Sequence, residues 1–158
     1  MNEDKKHHVL FWVCPFIIGG LLMVLCWLSD FDYSVKGYGD LLGSMINFAS
    51  IIIGFYSAFY GILITIKDTE FMRNIRGSKI EKRLKYQLFI SLFSAFLVLI
   101  FSMLMQILQF KEGVISNIGF YVWVFISGLF ISMSFQTIIL SLEIVFESEP
   151  NKKKFINK

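Results

Sequence analysis

A stripe of small and weakly polar residues runs through the second of four long apolar stretches in this sequence. Its members recur every three or four positions and so share one face of a helix. They are Gly43, Asn47, Ser50, Gly54, Ser57, Gly61 and Thr65. Such residues let helix backbones approach closely in lipid and hydrogen-bond across the contact, which predicts a helix-packing or self-association surface. As the alternative, the same polar groups line a narrow hydrated path in a homo-oligomer.

A second polar pattern lies in the fourth apolar stretch. Gly128, Ser132 and Gln136 follow at four-residue intervals, and hydroxyl residues occupy a neighbouring face. These are Ser127, Ser134, Thr137 and Ser141. Two polar faces on one membrane helix predict that protein surrounds it. Together with the serines and glutamines of the third stretch, these polar residues are more than the interior of one four-helix bundle requires. Their excess predicts a homo-oligomer.

Residues for catalysis or metal binding do not come together in the sequence. It contains no glycine-rich phosphate loop, no His-Glu-x-x-His and no Gly-x-Ser-x-Gly. The two histidines, His7 and His8, precede the first stretch, and Cys14 and Cys26 lie inside it, without the spacing of a zinc site. We therefore expect no enzymatic activity, no cofactor, no metal and no small-molecule substrate.

The elements that position these residues are four apolar segments at 9–28, 41–66, 86–110 and 118–146. Each has the roughly 20 residues that a membrane-spanning helix needs. They take up most of the 158 residues, which leaves no room for a separate soluble domain. The sequence predicts an all-α integral membrane four-helix bundle, built as two transmembrane hairpins and forming a single transmembrane domain over residues 1–158.

The basic residues predict the orientation of this bundle. Thirteen of the fifteen lie before the first segment, between the second and third, or after the fourth, and only Lys36 and Lys111 lie in the other two gaps. Because cytoplasmic loops carry the excess of Lys and Arg, both termini and the middle loop are predicted to be cytoplasmic. The positive net charge follows from this topology, so we expect no direct contact with nucleic acid.

The middle loop, residues 67–85, combines basic residues with apolar ones at helical spacing. This pattern predicts an amphipathic segment that contacts anionic inner-leaflet lipid or a cytoplasmic effector protein. The candidate contact residues are Lys67, Phe71, Met72, Arg73, Ile75, Arg76, Lys79, Lys82 and Arg83. Ser78 and Glu81 fit a capping box, so the third helix is expected to begin near Lys79. The tail, residues 150–158, is predicted to be basic and flexible.

The layout resembles small membrane subunits of bacterial antiphage systems, in particular the membrane component of the Kiwa system. The resemblance rests on three features: the four spans, the short basic loop from Ile66-Lys67-Asp68-Thr69 to Lys85, and the lack of a catalytic motif. The layout is also similar to small membrane proteins that accompany RNA-targeting CRISPR effectors. Their Arg-x4-6-His signature has no counterpart here, because no histidine follows His8. The Kiwa resemblance implies a bacterial inner-membrane oligomer that registers phage-caused membrane disturbance and docks a cytoplasmic effector.

Three functions follow in order of preference. The first is a non-enzymatic, multi-pass membrane sensor and docking scaffold, and the second is a homo-oligomeric ion channel that depolarises the membrane. The third is a small transporter subunit. Transport usually uses an ionisable group or a broken helix within the membrane. Only Pro15 with Gly19 and Gly20 suggests a break, and a kinked packing helix explains this pattern.

Overall fold

The computed structural model describes residues 3–65, 79–111 and 113–147, and these form four helices without strands. We number them α1 (Glu3–Leu28), α2 (Tyr38–Thr65), α3 (Lys79–Leu108) and α4 (Val114–Glu147). A helix satisfies its backbone hydrogen bonds within its own segment, so a segment with apolar side chains is stable in lipid when it is helical. In this coarse form the prediction of an all-helical membrane protein is confirmed.

Three of the four helices are long and apolar enough to cross a membrane. These are α2 over its whole length, α3 from Arg83 to Leu108 and α4 from Val114 to Leu142. The apolar part of α1, Trp12–Leu28, is shorter. Its length of about 26 Å falls below the ~30 Å of the hydrocarbon core. A crossing by α1 and the cytoplasmic location of both termini therefore stay predictions.

Two helices begin before the apolar segments that predicted them. α2 begins at Tyr38 rather than at residue 41, and α4 begins at Val114 rather than at residue 118. Gly37 and Gly113 precede them with positive φ angles of 94° and 151°, a backbone region that favours glycine. Their carbonyl groups already accept helical hydrogen bonds, which hydropathy alone does not register. α3 begins at Lys79, as the capping-box pattern predicts.

The helices do not pack as two equivalent hairpins. α4 packs along both α1 and α3, and α2 packs along α3, whereas α1 and α2 make only minor contact. The α3–α4 hairpin is therefore a packed unit, and the predicted α1–α2 hairpin is a connection between helices that have different neighbours. α4 is the helix that joins α1 to the rest of the bundle.

The interior contains two apolar clusters. One lies between α2, α3 and α4 around Ala95, Val98 and Phe130. The other surrounds the Phe120 and Trp123 rings near the short connections, where Tyr38 meets both rings edge-on at 5.4 and 5.5 Å. The indole Nε1 of Trp123 donates a hydrogen bond of 2.8 Å to Ser102 Oγ. These contacts hold α2, α3 and α4 in a fixed register at this end of the bundle.

Candidate functional site

α1 and α4 approach each other closely where they cross at Gly19 and Gly128. A Cβ atom on Gly128 would lie 2.7 Å from the Gly19 Cα atom, and one on Gly19 would lie 2.8 Å from the Phe125 carbonyl oxygen. Both obstacles are backbone atoms, so neither glycine can be enlarged without moving a helix. α1 remains helical through Pro15 on its way to this crossing. The pattern of Pro15, Gly19 and Gly20 thus belongs to a packing helix and not to a broken one.

The polar faces of α4 are enclosed by the protein itself. Ser127, Ser132, Ser134 and Thr137 are buried, and Gln136 is half-buried. Of an apolar 18-residue stretch of α4, 39 % is buried inside one chain. Self-association is therefore not required to explain these residues, which corrects part of the argument for a homo-oligomer. The small-residue stripe of α2 is the remaining feature that favours a homo-oligomer.

A buried polar cluster joins α2, α3 and α4. The hydroxyl groups of Ser91 and Thr137 are hydrogen-bonded to each other, and the Met133 carbonyl oxygen lies within hydrogen-bonding distance of both, 3.2 Å from Ser91 Oγ and 2.8 Å from Thr137 Oγ1. The Tyr56 hydroxyl donates to the Ser134 carbonyl oxygen at 3.2 Å. Gln87 is fully buried beside Met133, with its Nε2 atom 4.0 Å from Sδ. In the apolar surroundings these bonds fix the relative positions of three helices.

Sequence reasoning did not single out Gln87 or Tyr56. Gln87 precedes Ser91 by four residues and so lies on the same helix face, which is a signal that could have identified it. Tyr56 offers no such signal. It is one aromatic residue among several in α2, and the Ser134 carbonyl group that accepts from its hydroxyl lies on another helix.

The small-residue stripe of α2 lies on the outside of the chain. All of its members are exposed except the half-buried Gly43: they are Asn47, Ser50, Gly54, Ser57, Gly61 and Thr65. A Cβ atom on Gly43, Gly54 or Gly61 would meet nothing within 4 Å. The opposite face, with Leu42, Ala49, Ile52 and Tyr56, is the buried one. Within one chain the stripe is therefore not a packing seam.

Two hydroxyl groups of the stripe are bonded to their own helix. Ser50 Oγ donates to the Ile46 carbonyl oxygen at 2.8 Å, and Thr65 Oγ1 donates to that of Gly61 at 3.0 Å. These bonds lower the cost of placing a hydroxyl group in lipid. The Asn47 side chain is different, because a primary amide has two donor hydrogens and an acceptor oxygen to satisfy. Asn47 is exposed about 14 Å along the helix axis from Tyr38.

Most of the predicted contact residues of the middle loop lie outside the described residues. These are Lys67, Phe71, Met72, Arg73, Ile75 and Arg76, and the basic tail at 150–158 lies outside as well. Lys79 and Lys82 belong to the first turns of α3, and the Arg83 side chain is exposed. The predicted lipid and effector contacts of this loop stay predictions.

A groove of about 430 Å³ lies between α2 and α3. Ser57 and Tyr60 of α2 form one wall, Lys85 and Phe89 of α3 form the other, and Tyr56 contributes to the lining. In the parts of the chain that the structure describes, no three His, Cys, Asp or Glu side chains are close enough together to hold a metal ion. The groove and the stripe are therefore two surfaces on which a binding role can be argued.

Comparison of the chain with protein-family models, with curated proteins and with solved structures finds no match. The fold defines an all-helical protein with three helices fit to cross a membrane. The resemblance to antiphage membrane subunits, the bacterial inner membrane and the effector partner stay predictions.

Proposed function

We propose that the protein is a non-enzymatic membrane scaffold that self-associates through α2 and docks a cytoplasmic effector with its basic loop. The observation that supports self-association is the exposure of the α2 stripe. Of an apolar 18-residue stretch of α2, only 17 % is buried inside one chain. The face left open is the one with the smallest side chains and the Asn47 amide.

The physics of helix association in lipid favours this use of the stripe. Lipid is as apolar as the helix surface, so the gain comes from backbone contact and from hydrogen bonds between helices. Gly54 and Gly61, seven residues apart, leave a shallow channel along α2 that a second α2 can enter. Two Asn47 amides that face each other exchange hydrogen bonds, which contribute about 0.6 kcal/mol.

Self-association also strengthens the proposed docking role of the loop. Each copy carries seven basic residues between Lys67 and Lys85. An oligomer brings several such loops together, and multivalent binding raises the apparent affinity for an effector without a new contact in any single loop. A sensor function follows if a membrane disturbance changes the association of the α2 helices.

Cysteine cross-linking in membranes tests self-association directly. In a Cys14→Ala, Cys26→Ala background, Ser57→Cys is expected to give a cross-linked dimer under mild oxidation. Ile139→Cys, on the exposed outside of α4, serves as the matched control. Equal cross-linking at both positions, or none at Ser57→Cys with a reagent about 10 Å long, would contradict a contact through α2.

The docking role needs a separate test, because it rests on the loop. Arg73→Glu with Arg76→Glu reverses two charges and is expected to abolish recovery of the effector while membrane insertion and oligomer mass are kept. Lys36→Glu with Lys111→Glu makes the same charge change in the predicted outer loops and is expected to have no effect. Unchanged recovery of the same cytoplasmic protein in both variants would leave the loop with a topological role only.

A pore is the second candidate, and the same exposed stripe favours it. In a ring of copies whose α2 stripes face the symmetry axis, Asn47, Ser50 and Ser57 line a polar path. Purified oligomer in a planar bilayer is then expected to conduct ions, and Asn47→Leu is expected to change the conductance. An oligomer that is electrically silent with and without its effector would remove the pore and leave the scaffold in place.

A further inference from the structure

The connection between α3 and α4 carries the most exposed of the large apolar side chains that the structure describes. Phe110 is 83 % exposed, Ile115 75 % and Val114 74 %. Ile107 of α3 and Ile118 of α4, both exposed, continue this apolar surface along the two helices. A contiguous apolar patch on the outside of a protein marks a contact with a membrane or with another protein.

The backbone of this connection has hydrogen-bond partners within the chain. The last four carbonyl groups of a helix have no partner inside the helix. In α3 each of them has a donor from the residues that follow. These donors are the amide groups of Gln109, Phe110 and Lys111, at 2.9, 3.4 and 2.9 Å, and the Gln109 side chain, at 3.0 Å. Satisfied backbone groups lower the cost of placing the connection among lipids.

A buried hydroxyl group of α4 adds to this satisfaction. Ser116 is only 1 % exposed, and its Oγ atom lies 2.8 Å from the Leu108 carbonyl oxygen. It also lies within hydrogen-bonding distance of the Lys111 carbonyl oxygen. The polar atoms of the connection are thus turned toward the protein, and the apolar side chains remain on the outside.

The length of α3 indicates the depth of the connection in the membrane. At the other end of the helix, the Tyr86 ring meets that of Trp12 edge-on at 5.3 Å. Amphipathic rings of this kind prefer the headgroup level of a bilayer. From Tyr86 to Leu108 the helix is about 33 Å long. A bilayer has a hydrocarbon core of ~30 Å and measures ~40–45 Å with its headgroups. The connection therefore ends within the headgroup zone of the opposite leaflet, and a tilt of the helix would place it deeper.

The connection between α1 and α2 lies at the same end of the bundle and has the opposite character. The two connections are neighbours, because Tyr38 at the start of α2 contacts Phe120 of α4. Asp30, Ser34 and Lys36 are exposed in the α1–α2 connection. Charged and hydroxyl side chains suit water, so this connection is an internal reference for the apolar one.

We infer that the α3–α4 connection is inserted into the lipid leaflet opposite the middle loop. Its partner is the interfacial zone of the bilayer, where the glycerol groups and first methylene groups of the lipids contact Phe110, Val114 and Ile115. The exposed Lys111 side chain is long enough to place its ammonium group among the phosphates. Lipid is favoured over a soluble partner because the patch continues along the outer faces of two membrane helices. The inference rests on the crossing by α3 and not on self-association or effector docking.

Spin-label accessibility in vesicles tests the insertion. In a Cys14→Ala, Cys26→Ala background, a label is attached at Ile115→Cys. Its collisions are measured with oxygen, which concentrates in lipid, and with a nickel chelate, which stays in water. The label is expected to collide more with oxygen, as at Leu104→Cys on the exposed side of α3 one turn deeper. A label at Ser34→Cys is expected to show the reverse.

A charge placed in the patch provides the second measurement. Ile115→Glu is expected to shift a label at Val114→Cys toward collisions with the nickel chelate, because a carboxylate is disfavoured in lipid. Ser34→Glu is the matched control and should leave that label unchanged. Greater nickel access at Ile115→Cys in the parent chain would place the connection in water, and low access to both reagents would place it under a protein or a second copy. Either result, or an equal response to the two glutamate variants, would overturn the proposal.

Discussion

α2 and α4 carry the same kind of sequence pattern and have opposite surroundings. Both present small and polar residues every three or four positions on a membrane helix. In α4 the pattern is enclosed, and Gly128 meets the Gly19 backbone. In α2 it faces outward, and Gly54 and Gly61 meet nothing. This periodicity therefore marks a surface suited to helix contact, but it does not specify whether the contacting helix belongs to the same chain or to another.

The cause of the difference is the position of each helix in the bundle. α4 packs along α1 and α3, and its polar residues face neighbours from its own chain. α2 packs along α3 with the face that carries Leu42, Ala49, Ile52 and Tyr56. That face is apolar and large enough to fill the space between helices, so the small-residue stripe remains on the outside of the chain.

The largest expected effect is at the enclosed pattern. Gly128→Leu forces side-chain atoms into the Gly19 backbone and is expected to lower stability by about 3 kcal/mol or to prevent folding. Gly20→Leu is the matched control, because it makes the same substitution in α1 where an added Cβ meets nothing within 4 Å. The measurement is thermal unfolding in detergent followed by circular dichroism. Similar midpoints for the two variants would remove the distinction between crossing and open glycines.

Substitutions in the exposed α2 stripe are expected to change the mass of the oligomer and not the stability of the chain. Gly54→Leu and Gly61→Leu are each expected to raise the dissociation constant of the oligomer about tenfold, since bulky side chains separate helices that approach closely. Light scattering after size-exclusion chromatography measures the mass, and circular dichroism checks that the monomer remains folded. Gly20→Leu should keep the parent mass. If Gly54→Leu instead unfolds the chain while its mass is unchanged, the contrast between α2 and α4 fails.

The buried polar cluster provides a second test of the enclosed face of α4. Thr137→Val keeps the shape of the side chain and removes the hydroxyl group that binds Ser91 and the Met133 carbonyl group. The expected loss of stability is about 1 kcal/mol. Ser141→Ala removes a hydroxyl group bonded only within α4, to the Thr137 carbonyl oxygen, and should cost less. Unfolding in a graded series of denaturing detergent separates the two, and an equal loss would deny the cluster a role between helices.

The smallest expected effect is that of the Asn47 amide. Asn47→Leu is expected to weaken the oligomer by about 0.6 kcal/mol, the average for a hydrogen bond between membrane helices. Asn47→Asp provides a second comparison, since a carboxylate at this depth should disfavour a contact between two copies. For both variants the strength of association is measured in vesicles, as the loss of energy transfer between labelled copies when the protein is diluted with lipid. A stronger association of Asn47→Asp would favour the hydrated path over the packed contact.

Local sequence features are sufficient to predict the class of this protein. Hydropathy and the lack of charge predicted the helices, since an apolar segment in lipid must satisfy its backbone hydrogen bonds locally. The start of α3 at Lys79 and the polar pattern of α4 follow from local residues in the same way. α2 and α4 begin a few residues before the apolar segments, because their first helical turns are set by glycine turns and not by apolar content.

Which helix faces are covered depends on the packing of the helices against one another. Whether Gly128 is enclosed and Gly54 is open depends on the neighbours of each helix, and these are set by packing between segments far apart in sequence. The same holds for Tyr56 and Gln87, whose partners lie on other helices, and for the groove at Lys85, which is lined by residues of both α2 and α3. Periodicity describes one helix at a time, whereas burial is a property of the assembled bundle.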